Sequence, residues 1–253
     1  MDDNKEDEFG IPKCEILGVD VAAVNMEHVL DIVKKEYQRW SGSYICVANV
    51  HTSVMSYENP GYRKIQNQSS MVLPDGKPLS VLCKKRGFEK AERVTGPDFM
   101  LEMLRASKTE RYRHYFYGST PETLKAMQKR LKTEFPYVTV AGMYAPPFRQ
   151  LTEEEDGKAL EKINRANPDF IWVGLGAPKQ EVWMAEHKGK VKGLMVGVGA
   201  AFDYFSGNIK RAPKWMQKCS LEWLYRLFQD PKRLFKRYLK TNFKFIWLVL
   251  RNK

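Results

Sequence analysis

The 253-residue chain predicts an α/β fold: a mostly parallel sheet of about six strands flanked by helices, with a helical appendage at the C-terminus. Three observations carry this. Short apolar runs alternate with segments of helical periodicity along most of the chain, the rhythm of parallel βαβ units. The runs end on glycine or on polar clusters, as strands do when they stop at a ligand crevice. Beyond residue 207 the runs cease, and a basic, aromatic-rich tail follows.

Residues 1–10 are acidic and polar and end on Gly10, so disorder is expected there. Residues 14–24 read as a strand, an irregular turn or an edge pair. Asn25 is placed to cap a helix over 26–40, where Val29, Ile32, Val33 and Tyr37 recur at helical spacing. The run 44–48, YICVA, is apolar throughout, as for a strand covered on both faces. Two helical pieces, 52–57 and 60–69, part at Asn59-Pro60, and 71–73 is the next strand. Helices follow over 78–86 and 97–107. Strand 114–117 ends on Gly118-Ser119, and Thr120-Pro121 opens a helix to Phe135 as cap and first residue. Strand 138–143, a helix capped by Thr152, strand 170–173, helix 178–187 and strand 194–198 complete a Rossmann-like core over 11–207. The tail reads as a helix over 212–229, a break at Pro231 and a helix over 232–250.

Hydrophobic content of 43% and charged content of 28% are those of a folded protein. Cys14, Cys46, Cys83 and Cys219 form no CxxC pair, which argues for reduced thiols rather than a zinc site or disulfides. The acidic start lacks an apolar core, so no signal peptide is expected, and no run of 18 apolar residues exists to span a bilayer. The net charge of +12 is unevenly placed. Residues 206–253 hold 13 basic and two acidic residues, net +11, so the tail calls for an anionic partner.

The polar strand ends carry the chemistry. Asn49, His51 and Thr52 follow one buried run, and Asp75 with Gly76 follows another. Asp75 is placed as a general base for a hydroxyl nucleophile, and His51 could do the same work. Gly118 and Gly176 sit in strand-to-helix turns where backbone N–H groups can approach a phosphate, and Lys179 and Gln180 follow in the first helical turn. Neither turn matches GxGxxG or a P-loop, so the nicotinamide and ATP fingerprints are missing. No DxD pair is present to hold a metal against a diphosphate. Neutralising one would fall to turn N–H groups and to Arg211, Arg226, Arg233, Lys236 and Arg237. In 208–253 aromatics and aliphatics interleave with cations, the composition of an interfacial segment on anionic lipid. An RNA- or nucleotide-binding module would use similar chemistry, but the aliphatic cluster of 245–250 favours lipid over nucleic acid. So apolar a tail also leaves a homo-oligomer open.

Seven motifs occur in order: NVHT at 49–52, PDG at 74–76, ERVTGPD at 92–98, YGS at 117–119, VGLGAPKQE at 173–181, GVGAAFDYFSG at 197–207 and KRAPKWMQKCSLEWLYRLFQDPKR at 210–233. On these the chain resembles the WecG/TagA/CpsF family, glycosyltransferase family 26. The resemblance implies an inverting, metal-independent transferase without a cofactor. It implies a UDP-sugar donor and an undecaprenyl-diphosphate-linked sugar acceptor, used at the cytoplasmic face of the bacterial membrane for teichoic acid, enterobacterial common antigen or capsule. It places the catalytic carboxylate on Asp75, nucleotide-sugar contacts on Asn49, Gln180 and Asp203, and closing arginines on Arg226 and Arg233, with Lys236 or Arg237 as a third. Many teichoic-acid members carry Thr two residues before the Asn, where this chain has Val47. N-acetylmannosamine, its uronic acid and glucose are therefore all expected donors.

Overall fold

In a computed structural model of the chain, residues 6–219 and 221–251 are described, apart from the side chains of Lys214, Lys218, Arg233, Lys236 and Arg237. Six strands pair in parallel as one sheet. They are β3 (Tyr44–Ala48), β4 (Met71–Pro74), β5 (Arg113–Gly118), β6 (Thr139–Tyr144), β7 (Phe170–Gly174) and β8 (Leu194–Gly197), in the spatial order β4-β3-β8-β7-β5-β6. Two further strands, β1 (Lys13–Ile16) and β2 (Val19–Ala22), form a separate antiparallel hairpin. The fold is α/β and Rossmann-like.

The strands alternate their side chains between two helical layers. On one face Ile45, Val47, Leu73, Phe116, Trp172 and Val196 join a core closed by α1 (Met26–Glu36), α5 (Gly96–Glu110), α6 (Pro121–Glu134) and α9 (Ala201–Ser206). On the other, Tyr44, Cys46, Val72, Tyr117, Ile171 and Met195 meet α2 (Val50–Glu58), α4 (Lys77–Lys85), α7 (Glu153–Ala166) and α8 (Lys179–Glu186). Helix α3 (Pro60–Asn67) crosses beneath β4 and the hairpin. Burial on both faces explains why the central runs are apolar throughout. His114 is the polar exception on β5. It accepts from Trp172 Nε1 at 3.0 Å and meets the Ser107 hydroxyl at 2.6 Å, and burial pushes its pKa down to about 3.

Local chemistry starts the helices as expected. Asn25 accepts from His28 N–H, Thr120 from Thr123 N–H, and Thr152 forms a capping box with Glu155. Gly118 sits at φ +123, and a Cβ there would lie 2.7 Å from the Gly174 carbonyl. Gly118→Ala is expected to destabilise by about 1–3 kcal/mol, measured as a lowered urea midpoint at unchanged slope.

Three expectations are corrected. Residues 6–10 are ordered: Asp7 Oδ1 accepts from the N–H groups of Phe9 and Ile11, and Phe9 packs edge-on against Trp40 at 5.2 Å. The Asp7 turn bonds and the Phe9 ring contacts hold the segment despite its acidic composition. Residues 1–5 lie outside the described chain. The helix expected over 212–229 is two, α10 (Lys214–Lys218) and α11 (Glu222–Gln229), and the short helix α9 follows β8 where no element was expected. Pro231 opens α12 (Pro231–Arg251) at its first position, where a missing N–H costs nothing. Helix α12 lies along α2, buries Leu234, Thr241, Phe245 and Leu248, and pairs Lys244 with Glu58.

Candidate active site

The carboxyl ends of β3 and β4 close on each other. The N–H groups of Asp75 and Gly76 both bond the Ala48 carbonyl, at 2.8 and 3.2 Å. The open face of Gly76 lies against Asn49, whose Cα a Cβ on Gly76 would meet at 3.2 Å. The Asp75 side chain is left 26% exposed at the mouth of this double turn.

Arg93 enters from the loop before α5. Its Nε donates to the Asp75 carbonyl at 2.5 Å, and its Nη2 stands 3.6 Å from Asp75 Oδ1. The same Nη2 is closer to Glu222 Oε2 on α11, at 2.7 Å. Glu222 lies 3.8 Å from Arg211 Nε, and Arg211 binds both carboxylate oxygens of Asp98. Thr95, the cap of α5, holds Asp98 through its hydroxyl at 2.6 Å. Arg211 and Arg226 each stand 5.7 Å from the Tyr204 ring, a distance at which the ring face attracts a cation. Charges of opposite sign thus alternate from Asp75 through Arg93, Glu222 and Arg211 to Asp98. The chain joins the sheet ends to the C-terminal helices.

Burial pushes the Asp75 carboxyl above the usual carboxylate range; Arg93 pulls it down, Glu222 pushes it up and Arg226 opposes that. Removing a carboxylate from water favours its neutral form, and the nearby charges then decide how far it moves. Asp98 differs. Burial alone would raise it, but the bonds from Arg211 and Thr95 hold it below the usual range. Burial raises the Tyr204 hydroxyl to about 12, so it stays protonated.

The second part of the site lies at the ends of β5 and β7. The chain leaves β5 toward β6 on one side and β7 toward β8 on the other, which opens a crevice between them. Gly118 and Gly174 approach closely here, with Ser119 N–H on the Gly174 carbonyl at 3.2 Å. Gln180 fastens the neighbouring turns. Its Oε1 accepts from Gly176 N–H at 3.1 Å and Gly199 N–H at 2.9 Å, and its Nε2 donates to buried Glu181 at 2.8 Å. Lys179 is exposed in the first turn of α8, and Asp203 is partly buried on α9 beside Tyr204.

The residues singled out from sequence therefore separate by role. Asp75 and Arg226 come together, and so do Gly118 and Gly174. Gln180 spends its carbonyl oxygen on two turn N–H groups, which shapes the crevice from beneath. Asn49 caps α2 through the N–H groups of His51 and Thr52, and Thr52 returns the cap with its hydroxyl. Thr52 is 2% exposed, so its expected substrate contact is corrected to a folding role: a buried hydroxyl stays with the partner it has. His51 shares a face of α2 with Glu58, two turns on, whose carboxyl it helps to lower behind Lys244. Val47, the position where many teichoic-acid members carry Thr, is buried with Leu73 and Val196. The side chains of Arg233, Lys236 and Arg237 lie outside the described residues. Arg93, Asp98, Tyr204 and Glu222 were given no role from sequence. One signal was available: Glu222 is one of two acids in a tail of 13 cations.

The family described as glycosyl transferase WecG/TagA/CpsF matches residues 14–253, which includes the whole basic tail. A Bacillus subtilis (strain 168) N-acetylglucosaminyldiphosphoundecaprenol N-acetyl-beta-D-mannosaminyltransferase is 30% identical over 217 residues, covering 85% of this chain and 82% of the relative. A protein of the same name from Staphylococcus aureus (strain MW2) is 28% identical over 232 residues, covering 90% and 89%. The chain therefore belongs to the WecG/TagA/CpsF glycosyl transferase family.

Proposed function

We propose that the protein moves N-acetylmannosamine from its UDP derivative to undecaprenyl-diphosphate-linked N-acetylglucosamine, with inversion and without a metal. One observation carries this reading. A partly exposed carboxylate at a strand end, raised by burial, lies near an arginine from the loop before α5 and one from the tail, in a chain similar to transferases of that name. Burial of Val47 in the core supports the same sugar as the relatives, because the side chain that differs does not line the crevice.

The reaction is a single displacement. Asp75 takes the proton from the acceptor hydroxyl as its oxygen attacks the anomeric carbon. The bond from that carbon to the UDP oxygen breaks, and UDP leaves with the electron pair. A raised carboxylate pKa suits a base working near neutral pH. The charge on the departing diphosphate is met by Arg226, by N–H groups of the Gly118 and Gly176 turns, and by Lys179. Asn49 and Asp203 border the donor. Among the described residues, no helix is long and apolar enough to cross a membrane. Helix α12 instead exposes Phe235, Leu239, Phe243, Ile246, Trp247 and Leu250, which recur along one side and form the lipid-facing stripe of a peripheral enzyme. Nucleic acid would leave that stripe unused.

The test is UDP release from a panel of UDP-N-acetylmannosamine, its uronic acid and UDP-glucose, with a lipid-diphosphate-linked N-acetylglucosamine acceptor. Acceptor-dependent release is expected with the first. Release with UDP-glucose alone would reassign the sugar, and release with no donor would overturn the transfer.

A further inference from the structure

A cavity of about 240 Å³ lies away from the catalytic crevice, where β4 begins rather than where it ends. Asn67, just before β4, ties down the hairpin turn that walls it: Nδ2 donates to the Gly18 carbonyl at 2.9 Å, and Oδ1 accepts from Asp20 N–H at 3.1 Å. The hairpin turn at Leu17 and Gly18 forms one wall, Tyr57 of α2 another, and Val249 of α12 a third.

Two arginines, Arg63 and Arg86, line this space. Arg63 is half-buried, and its side chain lies across Gly18, where a Cβ would meet Arg63 Cδ at 2.8 Å. Gly18 also stands at φ +82, so the turn residue that leaves Arg63 its room must also adopt a left-handed backbone. Among the described residues Arg63 has no carboxylate within ion-pair distance. Arg86 donates to the Glu15 carbonyl and lies 4.0 Å from the Cys14 sulfur. Among the described residues neither guanidinium has a carboxylate within ion-pair distance, although Glu15 itself is on the rim. Arg63 is half-buried and Arg86 is exposed beside it; two neighbouring guanidiniums without a carboxylate counter-ion favour an anion from outside.

The location says which anion. Val249 is flanked on α12 by Ile246, Trp247 and Leu250, all more than half exposed. The cavity mouth therefore opens onto the far end of the apolar stripe. Helix α12 has 21 residues, about 31 Å at 1.5 Å per residue. It runs from the neighbourhood of Arg226 and Asp75 to this cavity. A single amphipathic helix on a bilayer is free to roll about its own axis. A second, polar hold at its far end removes that freedom and sets the height of the crevice above the lipid. The volume is several times the roughly 30 Å³ of a water and below the roughly 300 Å³ of a drug-sized pocket, a fit for a phosphodiester head rather than a whole lipid.

We propose that Arg63 and Arg86 form a second lipid site, which binds the phosphodiester of an anionic bilayer phospholipid while its chains lie along the α12 stripe. The proposal rests on the membrane reading above and goes further in assigning a headgroup pocket distinct from the acceptor site. The test uses the full chain and the double variant R63K/R86K, which keeps the net charge and removes the two planar forks. Binding is measured to vesicles of phosphatidylcholine alone and of phosphatidylcholine doped with phosphatidylglycerol, by the shift in tryptophan emission. The wild type is expected to prefer the doped vesicles, and R63K/R86K to bind them about tenfold more weakly. Binding to neutral vesicles and turnover on a short-chain, detergent-soluble acceptor should be unchanged, which shows that the variant is folded. An undiminished preference in R63K/R86K would overturn the pocket and leave α12 as the whole attachment. Failure of the wild type to bind either vesicle would overturn the membrane reading and the pocket together. Abolition of the preference by inorganic phosphate, with neutral-vesicle binding intact, would mark a free-phosphate site and overturn the lipid assignment.

Discussion

Asp75→Asn is expected to lower turnover by about 10²- to 10⁴-fold, the usual contribution of a placed general base, with donor affinity nearly unchanged. The amide keeps the shape of the carboxyl and cannot take the acceptor proton. Stability provides the control. The folded-state pKa of Asp75 is raised above the ordinary carboxylate value, so the folded protein holds this proton more tightly than the unfolded chain does. Ionisation of Asp75 then opposes folding. That penalty is present above the raised pKa and absent below the ordinary one. At neutral pH the uncharged variant should therefore melt no lower than the wild type. Single-turnover kinetics beside a thermal melt checks both halves. Near wild-type turnover would remove Asp75 from the chemistry, and a large drop in melting temperature would recast it as a structural residue.

Glu222→Gln is expected to lower kcat/KM by about 10- to 100-fold, the loss of one or two charge-assisted hydrogen bonds of about 1.5–3 kcal/mol. Its pH profile distinguishes how it acts. Glu222 draws Arg93 Nη2 to 2.7 Å, leaving it 3.6 Å from Asp75 Oδ1. It also adds a negative charge that pushes the Asp75 pKa up. Neutralising Glu222 removes that charge and releases Arg93 to Asp75. Both changes lower the Asp75 pKa, so the acidic limb of kcat/KM should move to lower pH while the plateau falls. A residue that merely held α11 in place would lower the plateau and leave the limb where it was. On this reading one of the few acids of the tail sets how basic the proposed catalytic carboxylate is.

Asp75 was legible because strand ends are a local feature. An apolar run followed by Pro-Asp-Gly places the aspartate at a sheet edge wherever the sheet ends up. The glycines after β5 and β7 were legible for the same reason. His51 and Thr52, three residues or fewer from Asn49, were not separable by spacing. Only the capping geometry of α2 turned Thr52 inward and set His51 on the face shared with Glu58. Gln180 was placed in the right crevice, but not as the residue that ties its two turns together. Phe9 shows the limit of composition: an acidic segment is held by the Asp7 turn bonds and by the packing of Phe9 on Trp40.

By itself the sequence determined the succession of strands and helices, the caps, the position of Asp75 and the basic, apolar character of the tail. Each of these follows from the period of side chains or the φ preferences of a few neighbouring residues, which act over one or two turns of chain. The tertiary structure decided the rest. It set the strand order that opens the crevice between β5 and β7. It packed Val47 into the core. It joined Arg93, Asp98, Arg211 and Glu222 into one line of alternating charge. It laid α12 along α2, so that the stripe and the Arg63–Arg86 cavity share a side. Those contacts pair residues far apart in sequence, and their partners are chosen by how helices and sheet pack, which no local pattern records.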